Sequence, residues 1–183
     1  MSDAPDSSAD PDRHRVFFAL WPDDAARAAI ARTTRDAVRL SAGRPIAKER
    51  LHVTLAFLGE LTAARLEAAR NAPPIPVGPF ELALDTVGVW PESRILWLAP
   101  SAPPEALFDL EGGLWDALAT RGFHGEERVY RPHVTLARRA KPIEAAAEPV
   151  VEPVRFAVRD LALVESFPEG RRVHYEVLQR WPL

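Results

Sequence analysis

Apolar residues fall along the chain in short runs and alternations of strand length, broken by a few stretches with helical spacing. Arg15-Val-Phe-Phe-Ala-Leu-Trp21 is an apolar run ended by Pro22 and predicts a buried strand. Asp23 or Asp24 then caps a helix rich in Ala and Arg that runs to about Ser41, ahead of Gly43 and Pro45. Leu51 to Leu58 reads as a strand stopped by Gly59. Thr62 caps a short helix with Leu66 and Ala69 on its buried side. Pro73, Pro74, Pro76 and Pro79 mark a linker. Phe80-Glu-Leu-Ala-Leu-Asp85 alternates as a strand does, and Arg94-Ile-Leu-Trp-Leu-Ala99 is another strand. A second long helix spans about Pro104 to Arg121. Phe156 to Phe167 and Arg172 to Arg180 form a final pair of strands joined by Pro168-Glu-Gly170. Helices and strands mix without regular βαβ alternation, so the pattern predicts an antiparallel-rich α+β fold.

One strand occurs twice. His52-Val-Thr-Leu-Ala56 returns as His133-Val-Thr-Leu-Ala137, 81 residues later. Arg15-Val-Phe-Phe-Ala-Leu20 likewise resembles Arg94-Ile-Leu-Trp-Leu-Ala99, at an offset of 79. Strand, helix and motif strand therefore follow one another twice. Two copies of a unit of about 80 residues pack about a pseudo-twofold axis, whereas a solenoid needs three or more repeats. Strand alternation sends His and Thr to one face and Val and Leu to the other. A single His-x-Thr reads as two polar side chains facing solvent. The same five residues at matching places in two repeats read as two walls of one cleft.

Composition narrows the class. There is no cysteine, which excludes disulfides and thiolate metal sites. No apolar run approaches the ~18 residues of a membrane span, and no signal peptide opens the chain, so a cytoplasmic protein is expected. Residues 1–13 form an acidic tail with Asp3, Asp6, Asp10 and Asp12, expected to be disordered. Residues 14–183 then form one domain. Removing the four tail aspartates from the 26 acidic residues leaves 22 against 23 basic. That near-balance excludes the broad basic field of a non-specific nucleic-acid binder and leaves room for a local pocket.

Two imidazoles and two hydroxyls in one cleft suit proton transfer around an anion. Metal binding is the competing reading, yet His52 and His133 supply two ligands where catalytic zinc takes three and structural zinc four. No His-x-His or His-Glu-x-x-His is present. No cofactor and no metal are expected. Imidazole titrates at ~6.5, so one ring can be neutral and take a proton from water while the other is charged and gives one to a leaving oxygen. The threonine hydroxyls donate to phosphoryl oxygens between them.

His52-Val-Thr-Leu-Ala-Phe-Leu-Gly59 and Arg131-Pro-His-Val-Thr-Leu-Ala-Arg138 resemble the paired His-x-Thr-x motifs of the two-histidine phosphoesterases. Within them the chain is similar to the LigT-like RNA 2′,3′-cyclic phosphodiesterases over residues 14–183. Arg15 to Trp21, Glu165-Ser166 and Tyr175 to Pro182 belong to the same likeness. The resemblance implies a bilobal α+β fold, with antiparallel sheets lining a central cleft and helices outside. It implies hydrolysis of a terminal RNA 2′,3′-cyclic phosphate to a 2′-phosphate without metal, by a monomer acting on RNA or oligonucleotide ends. In those terms His52 protonates the leaving 3′ oxygen, His133 activates water, and Thr54 and Thr135 hold the phosphate. Arg138 matches an anion-binding arginine. Simple alternation points it away from His133, so a bulge or the strand's end must redirect it.

Other readings stay open at this stage. The two-histidine cleft also suits a protein that binds an RNA end without turnover, or a related activity such as 2′–5′ ligation or cyclic nucleotide hydrolysis. Arg131 shares the strand parity of His133, which allows a substrate contact as well as a surface ion pair. His14, His124 and His174 lie outside the motifs and read as surface or packing residues. Phe17, Phe18, Phe57 and Trp97 read as core. Tyr130 and Trp90 are candidates for stacking on a base.

Overall fold

The computed structural model describes residues 13–72, 75–125, 128–143, 151–169 and 172–183. Strand β1 (Arg13–Leu20) is followed by helices α1 (Asp24–Thr33) and α2 (Arg35–Ser41) and a two-residue strand β2 (Arg44–Pro45). Then come β3 (Val53–Thr62), α3 (Ala63–Arg70), β4 (Phe80–Leu84), β5 (Thr86–Trp90), β6 (Ile95–Ala99) and α4 (Glu105–Ala119). The chain closes with β7 (Val134–Arg138), β8 (Val154–Val158), β9 (Asp160–Glu169) and β10 (Arg172–Pro182).

Seven strands run in the order β10-β9-β1-β3-β7-β6-β5, with β2 also on β7; β4 and β8 form a separate two-stranded sheet. All recorded pairings are antiparallel. The two repeats meet in the middle of the large sheet, where β3 and β7 share the pair Val53↔Val134. These are equivalent residues of the two motifs. An element that pairs with its own equivalent marks a twofold relation, as in an isologous interface. The duplication read from the sequence is therefore visible as two half-sheets joined at one point.

Local chemistry explains the elements. β1 reads as a continuous apolar run because neighbouring strands flank it and both its faces are covered. Val16, Phe18 and Leu20 face the main core, while Phe17 and Ala19 pack with Ala162 and Val164 on the other side. Asp23 caps α1 by accepting from the Ala26 backbone N–H at 2.7 Å. In α4, Leu107, Leu110, Leu114, Ala117 and Leu118 are buried at helical spacing. Truncating one such leucine costs roughly 2–5 kcal/mol.

Several expected boundaries move. The helix expected from Asp23 to Ser41 is two helices. The buried Thr34 between them turns its hydroxyl back to the Ile30 carbonyl at 2.7 Å. Gly59 does not stop β3: with φ of 73° it carries the strand through an irregularity to Thr62. Thr62 then caps α3, with Leu66 and Ala69 buried as expected. Phe156 to Phe167 is not one strand, because β8 belongs to the small sheet and β9 to the large one. Arg13, grouped with the tail, opens β1 opposite Thr62. Residues 1–12, Pro73, Pro74 and Gly170 lie outside the described residues.

Candidate active site

Each histidine sits just ahead of a motif strand, and its Nδ1 is tied to a carbonyl two residues earlier. His52 Nδ1 lies 2.6 Å from the Arg50 carbonyl, and His133 Nδ1 lies 2.8 Å from the Arg131 carbonyl. A carbonyl only accepts, so Nδ1–H donates in both rings and Nε2 carries the lone pair. His52 Nε2 is 3.1 Å from Thr54 Oγ1. Both working nitrogens are thus Nε2, held in one tautomer by matching backbone contacts.

The strands also bend in matching ways. In the β1–β3 ladder Phe18 pairs with Ala56 and Ala19 with Thr54, so Leu55 is skipped. In the β6–β7 ladder Leu96 pairs with Ala137 and Trp97 with Thr135, so Leu136 is skipped. A bulge reverses the alternation beyond it. Arg138 therefore returns to the side of Thr135, as its expected role requires, and lines the cleft with His52, Thr54 and Thr135. In the first motif the same bulge exposes Phe57, the counterpart of Arg138. Phe57 is 47% exposed, where the sequence suggested core, and the Arg15 guanidinium lies 5.0 Å from its ring centre.

Two cavities meet at this centre. The larger, about 930 Å³, holds His52, Thr54, Thr135 and Arg138 together with Arg13, Arg15 and Arg50. The smaller, about 500 Å³, opens on His133 and is lined by Trp90, Trp115 and Tyr130. Thr54 and Phe57 belong to both.

The rings around the histidines set their proton affinity. Phe17 and Trp21 stack against His52 at 4.8 and 5.3 Å, and Tyr175 meets it edge-on at 5.6 Å. Burial among them lowers the His52 pKa to about 4; the Arg50 carbonyl opposes this, and the charges of His133 and Arg138 add to it. Burial also lowers the His133 pKa, opposed by the Arg131 carbonyl and reinforced by Arg128. Trp90 meets His133 edge-on at 4.5 Å. Both shifts run in the direction that favours the neutral imidazole.

The structure thus brings His52, Thr54, Thr135 and Arg138 to one cavity, with His133 on the adjoining one. Arg131 orients His133 through its carbonyl, and it also lines the smaller cavity. Tyr130 donates its hydroxyl to the Thr54 carbonyl at 3.1 Å, bracing the first motif from the second half of the chain. His14, read as a packing residue, donates to the buried Glu165 at 2.8 Å beside the larger cavity. Sequence reasoning missed the aromatic cage of Phe17, Trp21 and Tyr175, and the part played by Arg50. Among the described residues no three His, Asp or Glu side chains converge as metal ligands. No helix among them is long and apolar enough to cross a membrane.

A two-lobed α+β protein with paired His-x-Thr strands around a basic cleft defines a class built to handle a phosphate ester. The family model of the 2′-5′ RNA ligase superfamily matches residues 21–166, and the chain belongs to that superfamily. It is 36% identical over 171 residues to the RNA 2′,3′-cyclic phosphodiesterase of Escherichia coli K12, covering 92% of this chain and 96% of that protein. It is 28% identical to the RNA 2′,3′-cyclic phosphodiesterase of Thermus thermophilus, covering 92% and 90%. The crystal structure of E. coli LigT complexed with 3′-AMP matches with a TM-score of 0.84 at 35% identity, covering 93% of this chain and 98% of that one.

Proposed function

We propose that this chain is an RNA 2′,3′-cyclic phosphodiesterase that opens a terminal cyclic phosphate to a 2′-phosphate by acid–base catalysis between His52 and His133. The observation that carries this is the matched pair of imidazoles, each fixed through Nδ1 and each offering Nε2 beside a threonine-lined, arginine-capped cavity. The E. coli and Thermus relatives bear that activity in their names.

In the reaction, His133 Nε2 takes a proton from water as the water oxygen bonds to phosphorus. The bond from phosphorus to the 3′ oxygen breaks on the opposite side, and His52 Nε2 delivers a proton to that oxygen. Each proton transfer is worth ~10²–10⁴-fold in rate. Thr54, Thr135 and Arg138 hold the non-bridging oxygens as charge builds on them. A resting His52 with a pKa of about 4 carries no proton at pH 7. The phosphodiester anion supplies the field that places one there, and the resulting imidazolium is a strong acid. Among the described residues no three His, Asp or Glu side chains converge as metal ligands, and the two imidazoles supply both proton transfers, so this reading needs no metal. The protein works as a monomer in the cytoplasm.

The test is product analysis on an RNA oligonucleotide ending in a 2′,3′-cyclic phosphate. A 2′-phosphate should be the sole product. Stoichiometric binding without turnover would instead identify an RNA-end-binding protein.

A further inference from the structure

Trp21 covers His52, and Arg27 in turn covers Trp21. The Trp21 ring lies on the imidazole at 5.3 Å and 18°, and the Arg27 guanidinium sits over the Trp21 ring at 5.5 Å. Local sequence explains the order. Trp21-Pro22-Asp23 leads into α1, which Asp23 caps. A helical side chain leans toward the N-terminus, over the turn before its own Cα. Arg27 stands in the first turn of α1, so its side chain folds back onto Trp21.

The same guanidinium reaches a second support of His52, the 3-10 turn Lys48–Arg50. Successive carbonyls from Ala47 to Arg50 all have partners. Those of Ala47 and Lys48 accept from the Arg50 and Leu51 backbone N–H groups at 2.9 and 3.2 Å. That of Glu49 accepts from Arg27 Nη1 at 3.5 Å, and that of Arg50 from His52 Nδ1 at 2.6 Å. Arg27 Nη2 also donates to Asp24 at 2.8 Å, but Asp24 is 89% exposed, and a pair of that kind stabilises little. Arginine ordinarily keeps its head in water. The Arg27 side chain is only 12% exposed, and its Nε is buried without a hydrogen-bond partner among the described residues. The ion pair does not explain that burial; the contacts with the two supports of one catalytic ring do. His133 lacks this arrangement: the ring recorded against it, Trp90, meets it edge-on.

We infer that Arg27 is a positioning residue for His52, holding both the Trp21 ring that covers the imidazole and the Lys48–Arg50 turn whose last carbonyl fixes its tautomer. This rests on the assignment of His52 to proton transfer made above. Arg27 and Trp21 line a separate cavity of about 850 Å³, and neither lines the two cavities that meet at Thr54. Loss of Arg27 therefore acts on the imidazole and not on the residues that hold phosphate. An imidazole released from the Arg50 carbonyl also populates the tautomer with its proton on Nε2.

The experiment compares wild type, Arg27→Met and Arg27→Lys by two measurements. Methionine keeps an apolar stem, and lysine keeps the charge without the flat fork that stacks and donates twice. The first measurement is the ring nitrogen-15 NMR spectrum at about pH 8, where imidazole is neutral and shows its tautomer. His52 is identified by comparison with His52→Ala. Wild type should show a single tautomer at His52, with the proton on Nδ1. Both variants should show a mixture at His52 and leave His133 unchanged. The second measurement is hydrolysis of a cyclic-phosphate oligonucleotide. Both variants should lower kcat by ~10-fold or more, as misplacing a reacting group does, and leave KM within about twofold of wild type. Placed on His52→Ala, Arg27→Met should lower the residual rate no further, because the ring it acts through is gone. If Arg27→Met fails to fold, Arg27→Lys carries the same comparisons. A wild-type His52 spectrum in the folded variants would overturn the inference while leaving the phosphodiesterase reading standing. So would equal losses of kcat in the wild-type and His52→Ala backgrounds, the mark of a merely structural role. A wild type that hydrolyses no cyclic phosphate would overturn the phosphodiesterase reading, and the assignment of His52 to proton transfer with it.

Discussion

Val53 lies directly opposite Val134 where the two halves of the sheet meet, and both are completely buried. This is the one recorded pair of the β3–β7 ladder, and the flanking His52, Thr54 and Thr135 line the larger cavity while His133 lines the adjoining one. His52 Nε2 lies 3.1 Å from Thr54 of its own motif, and the larger cavity brings Thr135 of the other motif to the same centre. The larger cavity draws His52 and Thr54 from one half of the chain and Thr135 and Arg138 from the other, so the two copies of the motif contribute to one centre where they meet at their valines.

That arrangement predicts that both histidines are required. His52→Ala and His133→Ala should each lower kcat by at least ~10² on a cyclic-phosphate oligonucleotide while the circular dichroism spectrum stays that of wild type. Near-wild-type turnover in either variant would remove that residue from the proton relay.

Thr54, Thr135 and Arg138 are assigned to hold the phosphate rather than to move protons. Thr54→Val and Thr135→Val should each cost ~1.5–3 kcal/mol in kcat/KM, the value of a hydrogen bond to a charged group. Arg138→Ala should raise KM as well as lower kcat. Wild-type kcat/KM in all three variants would place the phosphate elsewhere.

Much of this was legible in the sequence, because a duplicated motif carries its own control. The repeat singled out both histidines and both threonines; the family resemblance singled out Arg138, and parity required a bulge or the strand's end to redirect it. The register corrects one detail: Ala19 and Trp97 are the true counterparts, so the strands preceding the motifs are offset by 78 residues rather than 79. Three features were hidden for physical reasons. Phe17 lies in a run where every residue is buried, so nothing in the pattern tells a ring packed on a catalytic imidazole from one packed in the core. Strand β5 was overlooked although Gly88 marks it: a Cβ there would collide with the Trp97 ring from the neighbouring strand. Arg50 and Arg131 act through their carbonyls, and a backbone atom leaves no side-chain signature, although an arginine two residues ahead of each histidine extends the repeat.

Metal dependence offers an independent check. Among the described residues the two imidazoles have no third protein ligand converging with them, which falls short of a catalytic zinc site. Hydrolysis should continue at the same rate after exhaustive dialysis against EDTA. Loss of activity that a divalent ion restores would mean that substrate phosphate completes a metal site.

The depressed pKa values predict a difference between two pH profiles. His52, with a pKa of about 4, and His133, also lowered, together hold little proton in the free protein at pH 7. The reactive form needs one proton across the pair, so kcat/KM should fall as pH rises from below 6.5, with limbs belonging to the coupled pair. Bound phosphate adds negative charge next to both rings and raises their affinity for a proton. The alkaline limb of kcat should therefore lie at higher pH than that of kcat/KM, and phosphate binding at pH 7 should take up protons, measurable by calorimetry in buffers of different ionisation enthalpy. Trp21→Ala, which opens the cage around His52, should raise its pKa and move the kcat/KM limb to higher pH. The same burial acts on stability with a definite sign. Below pH 6.5 the unfolded chain takes up a proton that folded His52 refuses until about pH 4, so wild type loses stability across that interval as pH falls. His52→Ala should lose less over the same range in urea titrations. Coincident alkaline limbs for kcat and kcat/KM, with no proton uptake on phosphate binding, would contradict a resting site with two neutral imidazoles.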